Sequence, residues 1–234
     1  MNDTPNIERI VVSTVTALPS FHPESGPSFK AFPVHVFLIH HGDGPIVVDT
    51  GIGVGNSTID NWYKPETVDL RTELERRNVD PDSPRLTIVN THLHFDHCGQ
   101  NNAFPNARIV VQQAEAAMAM SPNYTIEAWA VLPKKRTTLV DGDHMLTDGI
   151  ELMHTPGHTP GHQSVVVRSR TGATIIAGQC LFKADEWNSA TPNEANLHDE
   201  DHRKLAAESL ARLRSLRPSA VLLSHDCAVN LHGK

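Results

Sequence analysis

The chain is short of cysteine, of aromatic side chains and of long apolar runs, and each shortage excludes something. Its three cysteines, Cys98, Cys180 and Cys227, are widely spaced and odd in number among 234 residues. No disulfide framework is expected, and reduced thiols in a cytoplasmic setting are. No apolar run approaches the roughly 18 residues that span a bilayer, and the start of the chain lacks the basic and apolar regions of a secretory signal. Lysine and arginine number 20 against 27 acidic residues, a formal charge of −7 with no block of like charge. That balance argues against nucleic-acid or anionic-membrane partners and leaves a small molecule. With seven Phe, three Trp and two Tyr, the aromatics are outnumbered by 15 histidines. A hydrophobic fraction of 39% is enough for a real core, and the length suits one layered domain over residues 1–234.

Short β-branched runs at residues 10–15, 34–39, 46–48, 86–89, 108–111, 149–153, 163–167, 174–177 and 220–223 predict strands. Helical spacing covers 68–77 and 199–216; in the latter, Leu205, Ser209, Leu213 and Leu216 fall on one face, acidic residues crowd the first turn and Pro218 follows. Strands interleaved with helices predict a layered α/β or α+β sandwich. Segments 19–33, 121–135 and 182–198 fit neither pattern and are candidate lids and pocket walls, with Trp129, Phe182 and Trp187 as apolar contacts.

The histidines are not scattered evenly. The strand at 86–89 runs into Thr91-His92-Leu93-His94-Phe95-Asp96-His97-Cys98-Gly99. In extended backbone His92 and His94 share a side and can hold one metal ion through their imidazoles. Asp96 and His97 follow where the chain turns, and adjacent residues do not share one face, so a second metal position is the natural consequence. Thr155-Pro156-Gly157-His158-Thr159-Pro160-Gly161-His162 follows the strand at 149–153, and Ser224-His225-Asp226 ends the strand at 220–223. One rim could therefore collect all three clusters. The pair His40-His41, beside Gly42-Asp43-Gly44, reads as an exposed hairpin turn. His22, His144, His198, His202 and His232 read as solvated or at a pocket edge, while His35 and His154, inside strand patterns, could face either way.

The pattern His92-x-His94-x-Asp96-His97 with His158 and His225 resembles the metal motif of the metallo-β-lactamase superfamily. The likeness runs from about residue 34 to about residue 226. The stretches Thr91–Asn101, Ile109–Gln112, Thr155–Ser164 and His225-Asp226 are similar to the N-acyl homoserine lactone lactonases in particular. The resemblance implies an α+β fold, a four-layer αββα sandwich with the site at the edge between two sheets. It implies one metal on His92, His94 and His158 and another on Asp96, His97 and His225, with Gln179 at the edge of both. It also implies hydrolysis by a metal-bound hydroxide, with Asp96 carrying the proton to the leaving oxygen. Zinc is the expected ion, one or two per chain, and iron, manganese or cobalt suit the same ligands. Val47-Val48-Asp49-Thr50-Gly51 resembles the family's early strand-end motif, in which the Asp orients a metal ligand; His162 would support the His158 turn.

Two positions depart from the family pattern. Gln179 stands where the family has an Asp that bridges the metals, and a neutral amide implies a weaker second metal and a more acidic bound water. Cys180 next to it is a candidate thiolate substitute. Phe182 stands where the lactonases carry a Tyr whose hydroxyl assists the substrate. The expectation is a metal-dependent hydrolase of a small ester or lactone. Thioesterase and aryl-ether or aryl-ester hydrolase activity remain alternatives, as does a metal-binding, non-catalytic partner subunit in a homo- or hetero-oligomer.

Overall fold

The computed structural model describes residues 6–17, 30–170, 172–189, 199–226 and 228–230. Most of segment 19–33, residues 190–198 of segment 182–198, Cys227, His22, His198 and His232 lie outside the described residues.

Seven strands form the first sheet: β1 (Asn6–Ala17), β2 (Lys30–His40), β3 (Ile46–Val48), β4 (Glu66–Thr67), β5 (Thr87–Val89), β6 (Arg108–Gln112) and β7 (Thr137–Val140), in the order β4-β1-β2-β3-β5-β6-β7. Six form the second: β8 (His144–Thr147), β9 (Ile150–His154), β10 (Gln163–Ser169), β11 (Gly172–Ile176), β12 (Ala220–Leu222) and β13 (Val229–Asn230), in the order β13-β12-β11-β10-β9-β8. Among the described residues five α-helices accompany the sheets: α1 (Ser57–Tyr63), α2 (Leu70–Glu75), the single turn α3 (Phe95–Cys98), α4 (Gln113–Met118) and α5 (Glu200–Ser215).

The layering follows from strand parity, because successive side chains point to opposite faces. Phe37, Ile39, Ile46, Val48, Val89 and Val110 of the first sheet meet Ile150, Leu152, Val165, Val167 and Ile176 of the second. Their alternates Val36, Leu38, Val47, Ile88 and Ile109 face outward onto Ile59 of α1 and Leu70 and Leu74 of α2. On the far side Val166, Ile175 and Val221 pack under Leu210 and Leu213 of α5. Each such fully buried side chain stabilises the fold by roughly 1.5–3 kcal/mol relative to exposure. The arrangement is the expected αββα sandwich.

Helix α5 starts where Asp199 caps it by accepting from His202 N. Its buried face keeps Ser209 and Leu213 of the expected one, with Leu216 packed beside it, but adds Ala206 and Leu210 and leaves Leu205 39% exposed. The contact stripe is 206, 210, 213, and Leu205 lies about 100° away from it around the helix. His40 and His41 are half-buried rather than exposed, since His40 Nε2 meets Glu8 Oε1 at 2.6 Å across the β1–β2 pair.

The topology also sets the rim. β3 and β5 run parallel as neighbours, as do β11 and β12, and β9 runs in the direction of β11. The carboxyl ends of all five therefore meet at one edge of the sandwich. There His35 N donates to Ser224 O and Gln163 N to Thr91 O, both at 2.8 Å, tying the sheets together.

Candidate metal centre

Past the end of β5, His92 and His94 point the same way, with His92 Nε2 3.1 Å from His94 Nδ1. His94 is extended, at φ −64° and ψ 156°, and immediately precedes α3. His158 comes from the β9–β10 connection, its Nε2 3.0 Å from His94 Nδ1. That connection is wedged between two helices. At Gly157, where φ is +146°, a Cβ would lie 2.6 Å from Ala206 of α5; at Gly161 a Cβ would lie 2.1 Å from Glu115 N of α4. Only glycine permits either approach.

A second group forms on α3 and beyond β12. Asp96 Oδ2 lies 3.5 Å from His97 Nε2 and 3.4 Å from His225 Nε2. Within each group of three, the ligand atoms lie within 4.8 Å of one another. The groups are contiguous, the His92 and His97 rings being 4.0 Å apart between centroids.

Hydrogen bonds on the opposite ring nitrogens decide where the lone pairs point. His97 Nδ1 meets Asp49 Oδ2 at 2.8 Å, and His225 Nδ1 meets the carbonyl of Pro33 at 3.1 Å. Both Nδ1 atoms must donate, so each ring in its neutral form turns the Nε2 lone pair toward Asp96. His97 Nε2 and His225 Nε2 are indeed buried without a hydrogen-bond partner, as are His158 Nδ1 and Gln179 Oε1. Buried acceptors facing one another are costly unless a cation sits among them. The donor set thus fits divalent ions, imidazole nitrogen with one carboxylate oxygen.

Asp49, at the end of β3, is the hub behind the second group. Besides His97 it accepts from Thr91 N at 2.7 Å and Thr91 Oγ1 at 2.8 Å, and that hydroxyl is 3.1 Å from His92 Nδ1. Its backbone is left-handed, at φ +63°, a conformation asparagine and aspartate tolerate best among side-chain-bearing residues. His162 lies beside the groups rather than within them. Its Nδ1 contacts Thr155 and its Nε2 accepts from Gln179 N at 3.0 Å, so it fixes the turn after β11 as well as the His158 loop. The Gln179 amide faces His97.

Burial, reinforced by neighbouring histidines, drives His92 and His158 well below the ordinary imidazole range. Burial also brings His162 to about 3 and His225 to about 4. These rings are neutral at pH 7. For His97 burial works in the same sense, but Asp96 and Asp49 outweigh it and raise the ring. For Asp96 burial works against ionisation, and His97, His225 and His94 overcome it to lower the carboxyl. Burial pushes the Cys180 thiol up to about 12, within the apolar cluster beneath α5, and pushes Cys98 higher still. Neither is a thiolate, and neither belongs to a ligand group among the described residues.

Phe182 stacks on His225 at 4.9 Å and meets Phe32 at 5.4 Å, edge-on. It walls the second group, as expected. Trp129 packs on the core of the first sheet instead, and Trp187 lies in the cluster under α5, where Arg214 covers its ring. Both are core packing, because their segments fold back onto the sheets. A cavity of about 300 Å³ opens beside His94 and His158, lined by Met118, Tyr124, Pro160 and His202.

Three contributors were not foreseen. Glu115 carries no pattern in sequence beyond a helix start. Asn90 and Asn101 flank the histidine motif, a signal that could have been read: Asn90 Nδ2 donates to His97 O, and Asn101 links Asn90 to Thr50.

Comparison with known proteins agrees with this geometry. Residues 30–225 match the family model of the metallo-beta-lactamase superfamily. An N-acyl homoserine lactonase from a Bacillus species is 33% identical over 211 residues, 83% of this chain and 81% of the relative. N-acyl homoserine lactonase AiiA of Bacillus thuringiensis subsp. kurstaki is 31% identical over 210 residues, with the same two shares covered. Among solved structures, an N-acyl homoserine lactone hydrolase with N-hexanoyl-L-homoserine bound at its catalytic metal centre superimposes with a TM-score of 0.79. It is 25% identical, with 97% of this chain and 94% of that one covered.

Proposed function

Because the chain belongs to the metallo-beta-lactamase superfamily and is a metal-dependent hydrolase of it, we propose that it opens a small lactone or ester, with acyl homoserine lactones the first substrates to try. The observation that carries the reading is the convergence of imidazole nitrogens at one rim, those of His92, His94 and His158 within 4.8 Å of one another and the unpartnered Nε2 atoms of His97 and His225 beside Asp96. His92, His94 and His158 hold one ion in this reading, and Asp96, His97 and His225 the other, with Gln179 at the margin. Zinc suits the imidazole-rich set best, and iron, manganese or cobalt suit the same ligands. When bound, such ions supply Lewis acidity toward a carbonyl and an acidified water.

The chain's own residues do the rest. Asp49 and Pro33 O fix the tautomers of His97 and His225, so that each neutral ring turns a lone pair toward the site. Asp96, held ionised between them, can accept a proton from the attacking water and pass it to the leaving oxygen. Phe182 keeps the second group dry but offers no hydroxyl to the substrate. The cavity beside His94 and His158 has apolar walls suited to an alkyl or acyl arm. Reduced buried thiols agree with a cytoplasmic setting, and among the described residues no helix is long and apolar enough to cross a membrane.

The test is a panel of acyl lactones, acyl thioesters and activated aryl esters, with metal content measured on the same samples. Ring opening of lactones, lost on chelation and restored by zinc, is the expected result. Preference for thioesters or aryl esters would move the substrate class within the superfamily. Full metal occupancy with no turnover on any member would favour the non-catalytic partner.

A further inference from the structure

The first ligand group is assembled from segments that follow strands of different sheets, His92 and His94 after β5 and His158 after β9. One buried carboxylate joins those segments. Glu115 on α4 is fully buried. Its Oε1 accepts from Leu93 N at 2.8 Å and from the Tyr124 hydroxyl, and its Oε2 accepts from Thr159 Oγ1 at 2.7 Å. The amide of Gly161 donates to the same carboxylate.

These donors are not arbitrary neighbours. Leu93 lies between His92 and His94, Thr159 follows His158, and the Tyr124 ring packs on the His94 ring at 4.8 Å between centroids. Every imidazole of the first group is thus next in chain, or in ring contact, with a donor held by Glu115. No member of the Asp96, His97 and His225 group stands in that relation to it. A carboxylate has about four lone-pair sites and here receives four donors; an amide has one acceptor oxygen and would turn its NH2 group toward the remaining donors.

We propose that Glu115 is a positioning residue for the first metal group, setting the separation of His92, His94 and His158 without governing the second. The proposal rests on the metal reading above. Groups that orient metal ligands from behind typically change affinity 10- to 100-fold when lost.

The experiment uses the full metal-free chain titrated with cobalt(II) in competition with a chelator, followed by visible absorption. His225→Ala isolates the first group and His94→Ala the second. Glu115→Gln added to His225→Ala is expected to weaken cobalt binding at least tenfold and to change the ligand-field spectrum. Added to His94→Ala, it should leave binding within about twofold. Unchanged affinity in the first background, or an equal loss in both, overturns the proposal. If Glu115→Gln does not fold, Thr159→Val is read in the same two backgrounds. A loss confined to the first group supports Glu115 as the clamp, and equal affinities overturn it. If wild type takes up no cobalt, the metal reading itself fails and the clamp falls with it; uptake that Glu115→Gln leaves untouched removes the clamp alone.

Discussion

Replacing Asp49 by asparagine changes one atom of a side chain that receives three hydrogen bonds, and its consequence can be followed to the metal group. The substitution preserves the left-handed backbone at φ +63°, which asparagine tolerates as aspartate does. If the amide oxygen keeps the bond from Thr91 N, the NH2 group takes the place of Oδ2, against Thr91 Oγ1 and His97 Nδ1. The threonine hydroxyl can rotate to accept. His97 can accept only by moving its proton to Nε2, the nitrogen that faces Asp96 Oδ2 at 3.5 Å. That proton then occupies the lone pair a cation would use. Hydrogen bonds to a charged group contribute about 1.5–3 kcal/mol each, and about 1.4 kcal/mol is tenfold in affinity. Loss of the His97 bond therefore weakens the Asp96, His97 and His225 group roughly 10- to 100-fold. The first group depends on Asp49 only through the Thr91 hydroxyl at His92 Nδ1, so its loss should be a few-fold. Chelator competition with zinc resolves the two steps, and nitrogen NMR of the metal-free variant reports the tautomer of His97. Second-group affinity within twofold of wild type, or a larger loss in the first group, would refute the reasoning.

Three further outcomes are expected. Gln179→Asp places a carboxylate at the margin of both groups, where Gln179 Oε1 is now buried without a partner; the weaker of two zinc affinities should tighten at least tenfold, and unchanged stoichiometry after dialysis would count against the charge argument. His94→Ala removes the nitrogen shared between His92 and His158 and should abolish turnover and one equivalent of metal; turnover and metal content both surviving it would end the assignment of His94 to a catalytic metal group. The metal-free protein should melt at lower temperature at pH 5 than at pH 7. His162 and His225 are depressed to about 3 and about 4 from 6.5, so the unfolded chain binds more protons below pH 6.5. Their stabilisation is complete above that pH and is lost as pH falls toward the folded values, by roughly 1.4 kcal/mol per pH unit per ring. His97 and Glu115, raised in the folded state, work in the opposite sense but are outnumbered by the depressed rings, which also include His92 and His158. Calorimetry from pH 7 to pH 5 showing a flat or rising transition would contradict this.

What was readable in the sequence was local. The runs at 46–48, 108–111 and 163–167 form strands because β-branched residues favour the pleated surface, and the spacing of His92 and His94 puts them on one side of any extended chain. β7 and β8 escaped notice because Thr137–Val140 and His144–Thr147 are short and largely half-buried or exposed, so neither shows a clear apolar alternation. Helix α4 is six residues with Glu115 its only buried member, too little pattern to read.

The sequence by itself therefore determined the types of donor side chain, their places after strand ends and the presence of an amide rather than a carboxylate at Gln179. Only the tertiary structure decided how they are divided and held: that Asp96 faces both His97 and His225, that Asp49 and Pro33 O set their tautomers, that His35 turns inward to Leu223 O, and that Glu115 joins loops from two sheets. Spacing along a strand is a property of covalent geometry. Hydrogen bonds between distant residues are not: the one Thr91 donates to Asp49, 42 positions away, needs β3 paired beside β5, and the one Thr159 donates to Glu115, 44 positions away, exists only once the two sheets have packed.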